Sequence, residues 1–297
     1  VEVTDDPSED YDVIDINTVG PTSMYHLKKA QRAGKPAIAH AHTTGEDFKN
    51  SFRGSNVVAP LVRKYVKTFY NRADRVIVPS EYTRRRVADY PLKPPVHVVS
   101  NGVDMDRLEG YDELRDEYRS RYHLEGLVVF VVGHVFERKG LSTFCQLAQE
   151  LPDMDFVWFG PIMDNPLGSS EVKKWVNDPP ENVQFTGFIE DIRGGFGAGD
   201  VFLFPTKEEN QGIAVLEAMA CQKGVVVSDL PVFDEYLDNG ENCFMCSEFG
   251  EYKEALETFR DDDMREEFGE KAGEAAEKHS LENVGKELIE VYEEALD

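Results

Sequence analysis

Apolar runs alternate with amphipathic stretches along most of this chain. Residues 11–17 and 36–42 read as short strands, and residues 22–33 between them have helical spacing. Further on, Val57, Val58, Leu61, Val62, Tyr65, Val66 and Phe69 predict a helix over 51–70 with these side chains on one face. A strand over 73–80, a helix over 81–90 and a strand over 95–100 continue the β-α-β alternation of a parallel sheet. Residues 104–126 are crowded with Asp, Glu and Arg and read as a connection between domains. The continuous apolar run 127–133 then opens a second sheet, as strands buried on both faces do. A helix over 141–150 follows, with strands at 155–160, 183–187, 201–204 and 224–228. Acidic helices follow residue 248, and the last, over 281–296, is amphipathic. The expected division is a first domain over 1–122, a second over 123–280, and a C-terminal helix over 281–297 that returns to the first.

The stretch 204–220 changes character in its middle. A buried strand ends at Phe204, a polar turn follows, and a helix is expected over 213–220. Glu209 and Glu217 flank the helix start and lie on roughly one face, so two carboxylates look toward one place. Asn210, Gln211 and Gly212 leave backbone N–H groups free for an anion. Acidic residues at a helix start also suit its macrodipole, so spacing alone leaves a structural reading open. His40 and His42 share one face of their strand, with His42 at the carboxyl end, where ligands sit in parallel sheets.

Charge narrows the partners. The chain of 297 residues carries 57 acidic against 32 basic side chains, a formal net charge of −25, which sets it apart from nucleic acids. Such acidity also suits a salt-adapted host and says nothing of the reaction. Residues 44–86 run against this balance with ten basic and four acidic side chains. That segment reads either as a solvated helix face or as a peripheral contact with an anionic membrane. Four cysteines form no secreted framework, which favours a cytoplasmic protein, and Cys243-Phe-Met-Cys246 lacks the partner ligands of a zinc site. No apolar run reaches the length of a membrane span.

Glu209-x-x-Gly-Ile-x-x-Leu-Glu217-Ala-Met-Ala resembles the E-x7-E signature of the retaining glycosyltransferases of family 4. Gly133-His-Val-Phe-Glu-Arg-Lys-Gly140 is similar to that family's diphosphate loop, and Asn182-Val-Gln-Phe-Thr-Gly-Phe188 to its nucleobase-side strand and turn. Ser100-Asn-Gly-Val-Asp104 is similar to the end of its first domain. A narrower resemblance, to the glycolipid synthases that transfer glucose to diacylglycerol, rests on Ile16-Asn-Thr-Val-Gly-Pro21 and on the stretch from His40 to Phe52. The resemblance implies an α/β protein of the GT-B fold, with two Rossmann-like domains and a cleft between them. Its donor would be a nucleoside-diphosphate sugar such as UDP-glucose, with a lipid or glycan acceptor and neither metal nor resident cofactor. It places such an enzyme in the cytoplasm or at the inner face of the cell membrane.

The same resemblance distributes roles. Lys139 would neutralise the diphosphate, with Gly133, His134 and Arg138 in the same loop. Glu217 would accept from the ribose hydroxyls, and Phe188 would stand at the base. Glu209 and His42 would approach the donor sugar, while N–H groups around Asn210, Gln211, Gly212 and Ile213 hold its hydroxyls and the phosphate. Two departures stand out: the family has Arg where this chain has His134, with Arg138 as the substitute cation, and nothing before Tyr11 reads as the family's first strand and glycine-rich loop. The first domain is therefore expected to lack its first β-α unit. Two other readings stay open, a polysaccharide or glycan acceptor and a sugar-nucleotide-binding protein without turnover.

Overall fold

The structure, a computed structural model, describes residues 2–4, 6, 9–42, 55–162 and 170–297. It divides into two compact units, the first formed by residues 1–101 and 282–297 and the second by residues 102–281.

In the first unit, strands β1 (Ile14–Ile16), β2 (Ala37–His40), β3 (Arg75–Val78) and β4 (Val96–Val98) pair in that order and all in parallel. They are joined by helices α1 (Pro21–Ala33), α2 (Ser55–Tyr70) and α3 (Glu81–Ala88). Parallel neighbours require a crossover, and each helix supplies one. Gly34 ends α1 with φ of 70°, a left-handed turn that glycine adopts without steric cost. The apolar spacing of α2 covers more than its buried stripe: Val66, Phe69 and Tyr70 are buried, whereas Leu61 is 71% exposed and Tyr65 faces outward beside it. The predicted start of this helix at 51 lies outside the described residues.

In the second unit, helix α4 (Met105–Leu108), a 3-10 turn over Asp112–Leu114 and helix α5 (Arg115–Tyr122) precede the sheet. The strands are β5 (Val128–Val132), β6 (Asp155–Phe159), β7 (Val183–Gly187), β8 (Val201–Phe204), β9 (Gly224–Ser228) and β10 (Phe244–Cys246). Their order is β10-β9-β8-β5-β6-β7, all parallel, so β5 and β8 lie side by side at the point where the strand order reverses. Helices α6 (Leu141–Glu150), α7 (Ser170–Asn177), α8 (Ile192–Ala198), α9 (Ile213–Ala220), α10 (Phe249–Thr258) and α11 (Asp262–Glu277) surround the sheet, and α12 (Leu281–Leu296) follows in the first unit. Its Val284 and Val291 bury against Ile38, Ile77 and Val99.

The stretch 104–126, read from sequence as a connection, belongs to the second unit. The boundary expected after residue 122 falls inside that unit for an electrostatic reason. Arg115 and Arg119 of α5 reach Asp200, just before β8, at 2.6 and 2.5 Å. Burial pushes the Asp200 carboxyl up, but the Val128 N–H and both guanidiniums outweigh it and hold the group below the usual carboxylate range. The short α7 and β10 were not expected from the pattern. Cys243 precedes β10 and Cys246 ends it, both buried, and burial pushes each thiol up to about 12, so neither is a ready nucleophile or ligand.

Phe130 sits at the centre of the second core, edge-on to Phe159, Phe196 and Phe202. Gly199 leaves the room this ring occupies, since a Cβ there would lie 2.0 Å from Phe130 Cδ1. Gly199→Ala is therefore expected to destabilise the second unit by ~1–3 kcal/mol through overpacking. The urea midpoint reads this, and an unchanged midpoint would contradict the packing.

Candidate functional site

Two loops leave the carboxyl ends of the neighbouring strands β5 and β8. The first, 133–140, is fastened to the second, 205–212, by Arg138. Its carbonyl accepts from the Lys207 N–H at 2.8 Å and from Thr206 Oγ1 at 3.3 Å, and its guanidinium donates to the Glu208 carbonyl at 2.7 Å. Gly140 permits this closeness: its φ is 83°, and a Cβ there would lie 2.0 Å from the Pro205 carbonyl oxygen. The loops therefore move as one piece.

Lys139 lies within this piece. A Cβ on Gly133, whose φ is 132°, would stand 2.9 Å from the Lys139 ammonium, so the missing side chain at Gly133 is the space in which the ammonium rests. The Gly133 backbone is held by the Trp158 indole N–H, which donates to its carbonyl at 2.9 Å. On its other side, Lys139 Nζ stands 5.3 Å from the centroid of the Phe204 ring. Burial pushes the Lys139 pKa down; Glu209 and Glu217 work against that shift, and Arg138 adds to it. A partly desolvated cation flanked by two carboxylates and a third charge is the device by which a site prefers an anion to water.

Glu217 lies in the middle of α9. Burial pushes its carboxyl above the ordinary range, opposed by Arg107 and Lys139. Glu209 turns back on its own loop, where Oε1 accepts from the Asn210 N–H at 3.1 Å. Both carboxylates act electrostatically on Lys139, and neither forms an ion pair with it. Gly212, with φ of 86°, starts α9, and the buried Gln211 before it is fixed by the Tyr236 hydroxyl, which donates to its carbonyl at 2.5 Å. Ile213 at the first turn is 45% exposed. Phe188 follows β7, two strands or roughly 10 Å from β5, and is 75% exposed. His134 is exposed and stacks on Phe136 at 5.7 Å, while Arg138 keeps a cation beside Lys139.

In the first unit, His42 follows β2. It stacks on His40 at 5.3 Å, and its Nε2 lies 3.3 Å from Asn17 Oδ1. His40 Nε2 donates to Asp15 Oδ2 at 3.0 Å, and the same oxygen accepts from the Tyr292 hydroxyl of α12 at 2.6 Å. Burial pushes the His42 pKa down, with His40 adding to the shift and Asp15 opposing it. The motif residues 43–52, and Lys49 and Arg53 of the basic segment, lie outside the described residues. Among the described residues no three His, Cys, Asp or Glu gather as a metal site, and no helix is long and apolar enough to cross a membrane.

Sequence reasoning missed Arg107, Tyr236, Tyr292 and the Asp15–His40 pair. Arg107 had a signal, since it lies in the short helix just after the Asn101-Gly-Val-Asp104 motif. The others act across distances in sequence that no local pattern reports.

The sequence pattern of Glycosyltransferase Family 4 matches residues 7–107, and that of Glycosyl transferases group 1 matches residues 126–262. The chain is 31% identical over 302 residues to the processive diacylglycerol alpha-glucosyltransferase of Acholeplasma laidlawii, covering all of this chain and 89% of that protein. It is 26% identical to the alpha-galactosylglucosyldiacylglycerol synthase of Streptococcus pneumoniae, over 98% of this chain and 79% of that one. Among solved structures, Anabaena HepE in complex with UDP-glucose is similar in fold, with a TM-score of 0.79 at 19% identity over 96% of this chain and 79% of that one.

The His42 imidazole is expected to titrate below 6.5, its ordinary value, when followed by NMR. The stability that neutral His42 contributes is then complete above 6.5 and is lost as pH falls through the lower folded value. A midpoint at or above 6.5 would show that burial does not govern this ring.

Proposed function

The chain belongs to glycosyltransferase family 4 and has the GT-B fold, and from that premise we propose that it transfers a hexose from a nucleoside-diphosphate sugar to a membrane glycerolipid. Glucose carried on UDP is the donor that the relatives make the first choice. The observation that carries the reading is the half-buried ammonium of Lys139, seated against Gly133 and acted on electrostatically by Glu209 and Glu217.

A departing nucleoside diphosphate gains negative charge as the sugar leaves. Lys139 and Arg138 supply fixed positive charge, and the N–H groups at the start of α9 add partial charges that need no reorganisation. Glu217 accepts from the ribose hydroxyls, with Arg107 nearby to keep its carboxylate ionised against burial. Phe188 offers an exposed face on which the base stacks. Glu209 is assigned to the sugar hydroxyls, and His42 to the sugar near its reacting carbon. A neutral imidazole there exchanges hydrogen bonds without adding charge. The bond from the sugar carbon to the phosphate oxygen breaks, the acceptor hydroxyl bonds on the same face, and its proton passes to a phosphate oxygen. The anomeric configuration is then retained.

The lipid acceptor is supported by a second observation. On α2 the outward row of Leu61 and Tyr65 stands among Arg63, Lys64 and Lys67, an apolar row with basic flanks. Such a face lies along an anionic bilayer surface, where each basic side chain contributes ~1 kcal/mol.

Release of UDP from UDP-glucose is expected to require diacylglycerol in anionic vesicles, with Leu61→Asp lowering the vesicle-supported rate. Donor binding without release under any acceptor would make this a binding protein, and release with a soluble glycan alone would move the acceptor. Glu217→Ala should chiefly weaken donor binding, and Glu209→Ala should chiefly lower turnover, by about 100-fold if its sugar contacts strengthen in the transition state. Equal losses of turnover with unchanged donor affinity would contradict that division.

A further inference from the structure

The second unit has another concentration of positive charge, at the opposite end of the same sheet. A cavity of about 280 Å³ opens where β5 and β8 begin, lined by Arg115, Arg119, Arg260 and Arg265 together with Asp200 and Asp262. Gly126 and Leu127 lead into β5 and Asp200 leads into β8, so the cavity faces the amino ends of these strands. The Lys139 loops leave the carboxyl ends, the length of a five-residue strand or roughly 15 Å away. A ligand in this cavity therefore does not belong to the donor site.

Four guanidiniums against two carboxylates is an unusual balance in a chain of net charge −25. Asp200 is spent on Arg115, Arg119 and the Val128 N–H, and Asp262 pairs with Arg265 from an exposed position. Arg260 is held in place from outside the cavity by Asp153 and Glu257. With the bonds to Gly197, Ala198, Gly126 and Phe259 carbonyls counted, the four guanidiniums use about half of their N–H donors. The remainder is a surplus of rigid, forked donors, which suits the oxygens of a phosphate group. Lys223, beside Arg115, Arg119 and Asp200, strengthens the case: burial pushes its pKa down to about 8, with the two arginines adding to the shift. With Asp153 and Glu257 counted, four carboxylates stand against four guanidiniums and the Lys223 ammonium, so the surplus here lies in crowded, unused donors.

We propose that this cavity is a binding site for a small soluble phosphate-bearing anion, separate from the donor site. Its size suits a single phosphate with a small substituent, being below the usual range for larger ligands. Leu127 is its one apolar lining residue, which gives acyl chains nowhere to lie and favours a soluble anion over a lipid headgroup.

Inorganic phosphate, titrated calorimetrically into the full chain at constant ionic strength, tests the site. Wild type is expected to bind at millimolar concentrations or below, and Lys139→Ala to bind equally well. Arg260→Gln should bind about tenfold more weakly. Asp262→Asn should bind several-fold more tightly, because it removes a repelling carboxylate and releases an Arg265 N–H. That gain cannot come from a damaged fold, so it decides the matter even if Arg260→Gln unfolds. No binding by wild type, no gain in Asp262→Asn, or loss in Lys139→Ala would overturn the site. Displacement of phosphate by phosphatidylglycerol vesicles would overturn the soluble source.

Discussion

An ammonium resting in the space of an absent side chain is the constraint on which this site depends. Lys139 occupies the volume that any residue but glycine at 133 would fill, and the φ of 132° there is open to glycine and strained for others. Removing the ammonium from water lowers its pKa, and Glu209 and Glu217 offset part of that shift. Neither carboxylate neutralises it through a hydrogen bond, so a diphosphate can take that place without displacing an established partner. The compensation is incomplete: the two carboxylates oppose the loss of hydration at Lys139 without cancelling it.

Rigidity around that ammonium comes from backbone contacts that require small residues. Gly140 lies against the Pro205 carbonyl and Gly160 against the Gly133 carbonyl, in each case at a distance where a Cβ would collide. The loops after β5, β6 and β8 are thereby locked at these two points, and Arg138 adds hydrogen bonds between the loops after β5 and β8. Preorganised charge acts on a transition state because it does not have to move. Packing of glycine against backbone is how this chain keeps its loops from moving, in a place where longer side chains would compete with the ligand.

Legibility from sequence followed the range of the interaction. The strands β5, β8 and β9 and the helix α9 were plain, because burial on both faces and apolar spacing act within a few residues. The E-x7-E pair and the 133–140 loop were legible through their resemblance to the family's motifs. The bound of the first domain was not, because it is set by Arg115 and Arg119 reaching Asp200 some eighty residues on. Nor was the support of His40, since Tyr292 meets Asp15 from the far end of the chain. Leu61 and Tyr65 were placed on one face with Val66 and Phe69, because periodicity groups apolar positions without saying which of them are buried. The pair Glu209 and Glu217 was half legible: spacing put them on roughly one face, but the cation on which both act comes from another loop.

Charge distribution ties these features together. With a net charge of −25 the chain repels anions at long range, so any anion it binds must be met by positive charge that is local and weakly screened. Burial provides that condition at Lys139, where lost hydration makes each remaining interaction stronger. Exposed cations on α2 cannot work this way, because solvent screens them; their value lies in number and in the apolar row they flank. A buried cation selects a small anion by contact, and a row of exposed ones selects a surface by its field. The chain carries both arrangements in separate places, the first at Lys139 and the second on α2.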